Sequence, residues 1–170
     1  MRTIDFRKDL LPHSDKLFRL AYRITLDKAE AEDIAEETLL RVWQKRESLD
    51  EINNLETYLY TICRNLAIDH NARKDSANLS LDTHTADSAD TAATPLERLV
   101  AADRLDWVRR ILNTLPLKQR TVLQLRDIEE KSVSETAEIL GISQEDVKTT
   151  HHRARRAVRT KLEELDNHGQ

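Results

Sequence analysis

The sequence predicts an all-α chain: two small helical domains joined by a flexible linker. Three observations carry that prediction. Aromatics make up 4% of the chain, with two Gly and three Pro, too few strand formers and turn residues for a β-sandwich or barrel. Ala, Leu, Glu, Lys and Arg abound instead, and the apolar residues recur at helical spacing. That spacing stops between Ser76 and Thr94, where SANLSLDTHTADSADTAAT contains no Lys or Arg and little to bury. The expected divisions are a helical domain at 1–75, a linker at 76–94 and a second helical domain at 95–170.

The first helix is expected from about Leu10 to Leu26, with Leu17, Leu20, Ala21 and Ile24 on one stripe. The second spans about Ala29 to Lys45 and turns Ala31, Ile34, Ala35, Thr38 and Val42 inward. Its other side carries Asp33, Glu36, Glu37, Leu40 and Gln44, acids with an apolar residue among them. Acids near a helix start also suit its dipole, so this helix alone leaves a structural and a binding reading open. A third helix covers about Leu55 to Lys74, with Leu55, Leu59, Ile62 and Leu66 as its buried stripe, bordered by Cys63 and His70. Tyr58, Tyr60, Thr61, Arg64, Asn65 and Ile68 lie off that stripe, and Arg73 and Lys74 close the helix. Aromatics, an amide and cations on one surface suit unpaired bases. On these residues alone, ordinary tyrosine packing is the stronger reading.

After Pro95, Leu96, Leu99 and Val100, then Val108, Ile111 and Leu112, mark helix to about Asn113. Pro116 is placed to open the next helix, LKQRTVLQLRD, ending near Asp127. The most informative stretch follows, from Lys131 to Leu162. Ser132 and Glu135 form an S-x-x-E capping box, Val133, Ala137 and Leu140 share a face, and Gly141 supplies a left-handed stop. Ser143 then caps a second helix, with Asp146 in its first turn. That helix sets Val147, Ala154, Val158 and Leu162 on one side. Lys148, Thr149, His152, Arg153, Arg156 and Arg159 take the other, with no acid between Val147 and Leu162. Helix, tight corner and long basic helix is the helix-turn-helix arrangement, whose second helix enters the DNA major groove. A merely solvated basic face would explain the cations, but not the corner and the two caps.

Charge and chemistry bound the rest. The 27 Lys and Arg against 31 Asp and Glu give a net charge of −4, so separate acidic and basic patches point to different partners. One cysteine, Cys63, leaves no internal disulfide and fits a reducing compartment. No apolar run approaches membrane-spanning length, and MRTIDFRKDL lacks a signal-peptide core, so a cytoplasmic protein without membrane insertion is expected. No phosphate-cradling glycine loop and no metal-ligand spacing among the six histidines are found. No enzyme activity, catalytic residue, metal or cofactor is expected.

Three blocks carry a specific resemblance: LDKAEAEDIAEETLLRVWQ, then TYLYTICRNLAIDH, then LNTLPLKQRTVLQLRDIEEKSVSETAEILGISQEDVKTTHHRARRAV. In order, spacing and intervening linker the chain resembles an extracytoplasmic-function sigma factor, the compact two-domain branch of the bacterial sigma-70 family. The resemblance implies a factor that binds core RNA polymerase and directs promoter-specific initiation, while polymerase supplies catalysis. It implies that Asp33, Glu36, Glu37, Leu40 and Arg41 dock on the clamp helices of the largest polymerase subunit. It places Tyr60 and Asn65 near a flipped-out base of the melted −10 element, with Arg64, Arg73 and Lys74 on the strand backbone. Lys148, Thr149, His152 and Arg153 match positions that read the −35 element, and Arg156 a phosphate contact. Family members commonly work with an anti-sigma factor, so that partner is expected beside polymerase and promoter DNA.

Two features depart from the family pattern. His151 stands at an inward position usually held by Leu or Ile, which implies looser packing of the reading helix, and HNARKDS is less basic than is usual there. Two other readings of the residues are a dimeric helix-turn-helix regulator and a helical adaptor. The first lacks a sensor domain or heptad run here, and the basic helix weighs against the second.

Overall fold

The computed structural model describes residues 3–49, 52–81 and 104–168. Among them every regular element is helical. Short helical turns at Phe6–Leu10 and Leu11–His13 lead into α1 (Ser14–Thr25) and α2 (Lys28–Gln44); Arg46–Ser48 forms a further turn before α3 (Leu55–Leu81). The second half comprises α4 (Arg104–Thr114), α5 (Leu117–Leu123), α6 (Val133–Leu140) and α7 (Gln144–His168). Most of the expected linker, residues 82–94, lies outside the described residues, as do Leu96, Leu99 and Val100.

Local chemistry sets the boundaries. Leu26, at φ 58°, stops α1, its N–H bonding the Tyr22 carbonyl at 2.7 Å. Asp27 caps α2 by accepting the Glu30 N–H at 3.2 Å, and Asn54 caps α3 by accepting that of Thr57 at 3.0 Å. The expected stripes of α1 and α2 are buried in full. α3 differs in two respects. It continues to Leu81, seven residues beyond Lys74, because SANLSL contains neither Pro nor Gly to break it. Its buried face is Leu59, Tyr60, Cys63 and Ala67, whereas Leu55, Ile62 and Leu66 are half-buried. The reason is that α3 is covered twice, by α1 and α2 and again by α6.

The two halves therefore meet. Leu17, Leu20, Ile24, Val42, Leu59 and Cys63 belong to the same buried apolar cluster as Val122, Leu125, Ile139 and Val147. A smaller cluster, Leu112, Leu115, Leu123 and Ala154, holds α4, α5 and α7 together.

The corner between α6 and α7 has the expected chemistry. Ser132 Oγ accepts the Glu135 N–H and Glu135 Oε1 accepts the Ser132 N–H, each at 3.0 Å. Gly141 ends α6 at φ 66°, and Ser143 Oγ accepts the Asp146 N–H at 3.0 Å. Before this corner α5 widens into a π-helical turn, Gln124–Ile128, closed by the Glu129 N–H on the Gln124 carbonyl at 2.9 Å. That turn carries Asp127, which meets the inward histidine of α7. His151 Nε2 is 3.0 Å from Asp127 Oδ1, and Arg155 donates to both carboxylate oxygens at 3.1 and 2.8 Å. A polar clamp thus takes the place of the aliphatic contact that an inward Leu or Ile would make.

Burial alone would raise the Asp127 pKa, but the Arg155 and His151 hydrogen bonds outweigh it and hold the carboxyl below its ordinary 3.8. A carboxyl depressed in the folded state stabilises the fold above its unfolded pKa, and that contribution vanishes as pH falls through the folded value. Asp127→Asn is expected to lower the melting temperature at pH 7, with the difference from the parent shrinking towards pH 3. Paired melts across that range check it; a difference independent of pH would contradict it.

Candidate nucleic-acid interface

On α7, residues 148, 149, 152, 153, 156 and 159 fall within an arc of roughly 140° at 100° per residue. Lys148, Thr149, His152, Arg153, Arg156 and Arg159 are all exposed on it. Val147, Thr150 and Ala154 are buried on the other side and fix the helix against the rest of its half. Of the acids at the start of α7, Glu145 lies 3.8 Å from the Lys148 ammonium, and Asp146 is engaged by Lys118 at 2.7 Å and by the Thr150 hydroxyl at 3.1 Å. No hydrogen bond or ion pair among the described residues occupies Arg153 or Arg156. The surface is cationic and carries hydrogen-bonding side chains in its first turns, as a base- and phosphate-contacting helix requires.

The outer face of α2 gathers Asp33, Glu36, Glu37, Leu40 and Arg41, all exposed. Glu37 and Arg41 pair at 2.9 Å, a helical i,i+4 contact that contributes only a few tenths of a kcal/mol (~0.3–0.5) at an exposed site. Leu40 is 48% exposed between these charges. An acidic face with an apolar centre suits a cationic helical partner.

On α3 the expected site residues divide. Arg64 donates to the exposed Asn65 side chain at 3.0 Å, so these two act together. Arg73 and Lys74 are exposed about two turns on and, being adjacent, point about 100° apart. Tyr60 lies elsewhere: it is 1% exposed. Its hydroxyl is 3.5 Å from Glu129 Oε1, and the Lys131 ammonium sits 5.2 Å from its ring centroid. Burial, with Glu129 beside it, pushes the phenol pKa well above its usual value.

What surrounds Tyr60 is a polar seam between the halves that the sequence reading did not single out. Arg19 donates to both oxygens of Glu129 at 2.8 Å, and the Gln124 amide donates to the same carboxylate at 2.8 Å. Gln124 in turn accepts from Arg23 at 2.8 Å. Burial lowers the Arg23 pKa to about 10. Arg120 donates to the carbonyls of Arg23 and Ile24 at 2.6 and 2.9 Å, capping the buried C-terminal end of α1. Lys131 reaches Glu56 at 2.6 Å. The available signal was the placement of Arg19 and Arg23 four residues apart beside the α1 stripe, where charges on a flank ordinarily read as solvated.

Among the described residues no His, Cys, Asp and Glu gather into a group able to hold a metal, and no helix is long and apolar enough to cross a membrane.

Comparison with known proteins follows these divisions. The Sigma-70 region 2 family matches residues 11–77 and the Sigma-70 region 4 family residues 105–158. The ECF RNA polymerase sigma factor SigW of Bacillus subtilis is 34% identical over 162 residues, covering 90% of this chain and 86% of that protein. The ECF RNA polymerase sigma factor SigL of Mycobacterium tuberculosis is 36% identical over 154 residues, again covering 90% and 86%. The sigma factor RpoE from Bartonella quintana, solved in complex with the anti-sigma factor NepR, has the same fold. It superposes with a TM-score of 0.79 at 24% identity over 94% of this chain and 97% of that one. Helical halves that match two sigma-70 regions in order, with relatives at this identity over most of their length, place the chain in the extracytoplasmic-function group of sigma-70 family RNA polymerase sigma factors.

Proposed function

We propose that the chain binds core RNA polymerase through α2, reads an upstream −35 element through α7, and captures the melted −10 strand on α3. The observation that carries this reading is the pair of unlike exposed faces: acids around Leu40 on α2, cations and hydrogen-bonding groups on α7. Each face suits a different partner. Asp33, Glu36, Glu37, Leu40 and Arg41 would meet the clamp helices of the largest polymerase subunit. Lys148, Thr149, His152 and Arg153 would reach base edges in duplex DNA, with Arg156 on phosphate. Asn65, oriented by Arg64, and Tyr60 would hold unpaired bases, with Arg73 and Lys74 near the strand. Capture of unstacked bases stabilises the melted state because the closed duplex offers no equivalent partner. In this reading residues 1–75 and 95–170 are the polymerase/−10 and −35 units around the 76–94 connector. The chain contributes no catalysis and works where polymerase does, in the cytoplasm. An anti-sigma factor is the further expected partner, by analogy with the NepR complex of RpoE.

The reading is tested first at α2. Asp33→Lys combined with Glu36→Lys is expected to weaken core-polymerase affinity by about 2 kcal/mol or more while leaving the melting temperature near that of the parent. Equal core affinity in the folded double variant would remove α2 as the anchor. Duplex retardation that needs no core polymerase would favour the dimeric regulator instead.

Reading and holding on α7 should separate as well. Arg153→Ala is expected to change the ranking of single-base upstream variants, by about 1–3 kcal/mol at the position it contacts. Arg159→Ala is expected to weaken all variants alike and to reduce the salt slope by about one phosphate contact. Holoenzyme binding across such variants at several salt concentrations checks both; the reverse pattern would reassign the two arginines.

A further inference from the structure

A cleft of about 480 Å³ lies between α1 and α4, and its residues are none of those proposed to meet polymerase or promoter. α1 lines it with Phe18, Arg19, Tyr22 and Arg23, two adjacent pairs one turn apart. α4 faces them with Asp106, Arg109, Arg110 and Asn113, the i, i+3, i+4, i+7 set of one helical face. The volume suits a single small molecule. The charge is one-sided, with four guanidinium groups against the one carboxylate of Asp106, which lies 3.4 Å from Arg109. Arg19 is matched by Glu129 at 2.8 Å. Arg23 has only neutral partners: its Nε and Nη1 donate to the side-chain oxygens of Gln124 and Asn113, which leaves Nη2. The Arg110 guanidinium sits 5.4 Å from the Trp107 ring centroid. Neither Arg23 nor Arg110 has an ion pair among the described residues. Burial lowers the Arg23 pKa, and the charges of Arg109 and Arg120 lower it further, a shift that a bound anion would oppose. Beside these cations the cleft is aromatic. Phe18 and Tyr22, both half-buried, stack with centroids 6.1 Å apart and planes 11° apart.

We infer that this cleft binds a nucleoside phosphate, with the base against Phe18 and Tyr22 and the phosphates among Arg23, Arg109 and Arg110. Arginine suits the phosphate end because its planar fork donates two parallel N–H bonds to an oxyanion. Inorganic phosphate would use the cations alone, whereas a heteroaromatic base also gains the face of the stacked rings. Asp106 supplies an acceptor for a ribose hydroxyl, and the Asn113 amide can donate or accept. A duplex backbone fits less well. Backbone phosphates are met by exposed cations, but Arg23 is 6% exposed and is the buried residue of the lining, within reach of a small ligand only. Because α1 and α4 both line the cleft, a ligand there binds the folded chain and raises its melting temperature by mass action.

The test titrates the full-length chain into methylanthraniloyl-labelled ADP, GDP, CDP and UDP and follows fluorescence anisotropy. Saturable micromolar binding of at least one probe is expected, with a matching rise in melting temperature. The unlabelled diphosphate should displace its probe, while the corresponding nucleoside and inorganic pyrophosphate should each compete about tenfold less well or worse. Arg109→Ala combined with Arg110→Ala, both at exposed positions, should weaken the probe about tenfold and leave the melting temperature of the ligand-free chain near the parent's. Tyr22→Leu should weaken the nucleotide but not pyrophosphate, and Tyr22→Trp should restore it, which a misfolded variant would not do. Pyrophosphate that displaces the probe as well as the nucleotide does would overturn the assignment and leave a plain anion site. A random single strand that displaces it better than the nucleotide would give the cleft to nucleic acid instead. No saturable binding of any probe up to about 1 mM would remove the site, as would binding unchanged by the double arginine variant.

Discussion

The arrangement of the two halves depends on one buried carboxylate. The side chain of Glu129 is only 2% exposed, and a charge removed from water without partners costs several kcal/mol. Glu129 meets that cost with the Arg19 guanidinium and the Gln124 amide, and its position also sets that of the Tyr60 hydroxyl. Arg23 and Arg120 extend the same logic: the buried Arg23 guanidinium donates to the Gln124 side-chain oxygen, and the half-buried Arg120 guanidinium to the Arg23 and Ile24 carbonyls at the end of α1. Paired charges of this kind contribute little net attraction but admit few alternative registers. The attraction comes from the apolar cluster beneath, where Val122 and Leu125 join Leu17, Leu20 and Leu59.

This constraint sorts the surfaces proposed to meet polymerase and DNA. The α2 and α7 faces point away from the seam and are built from side chains that water solvates well, so each is available whether or not the halves touch. The α3 surface is divided by the seam: Asn65 lies outside it and Tyr60 beneath it. A site split in this way depends on the relation between the halves, whereas a site on one helix face does not.

The same division explains what the sequence made legible. The stripes of α1 and α2, the Ser132–Glu135 box, the Gly141 stop and the outward cations of α7 are local patterns, each specified by residues within a few turns. The family resemblance rested on those blocks and agrees with the relatives. The buried face of α3 was misplaced because its period was read against one covering layer, whereas α6 supplies a second. Glu129 and Lys131 were legible only as a polar lead-in, IEEK. Their partners, Arg19 and Glu56, lie 110 and 75 residues away along the chain. His151 shows the reverse case: an apparent misfit on α7 acquires a partner once the π-helical turn brings Asp127 beside it.

A seam rich in charge also has a kinetic and thermodynamic character of its own. Interfaces meant never to open resemble a domain core cut in half, whereas those that open carry polar rims and leave groups that water can satisfy. Here both kinds of contact coexist. Val122 and Leu125 favour closure, while Arg19, Glu56, Glu129 and Lys131 can exchange each other for water or, in the cations' case, for another anion.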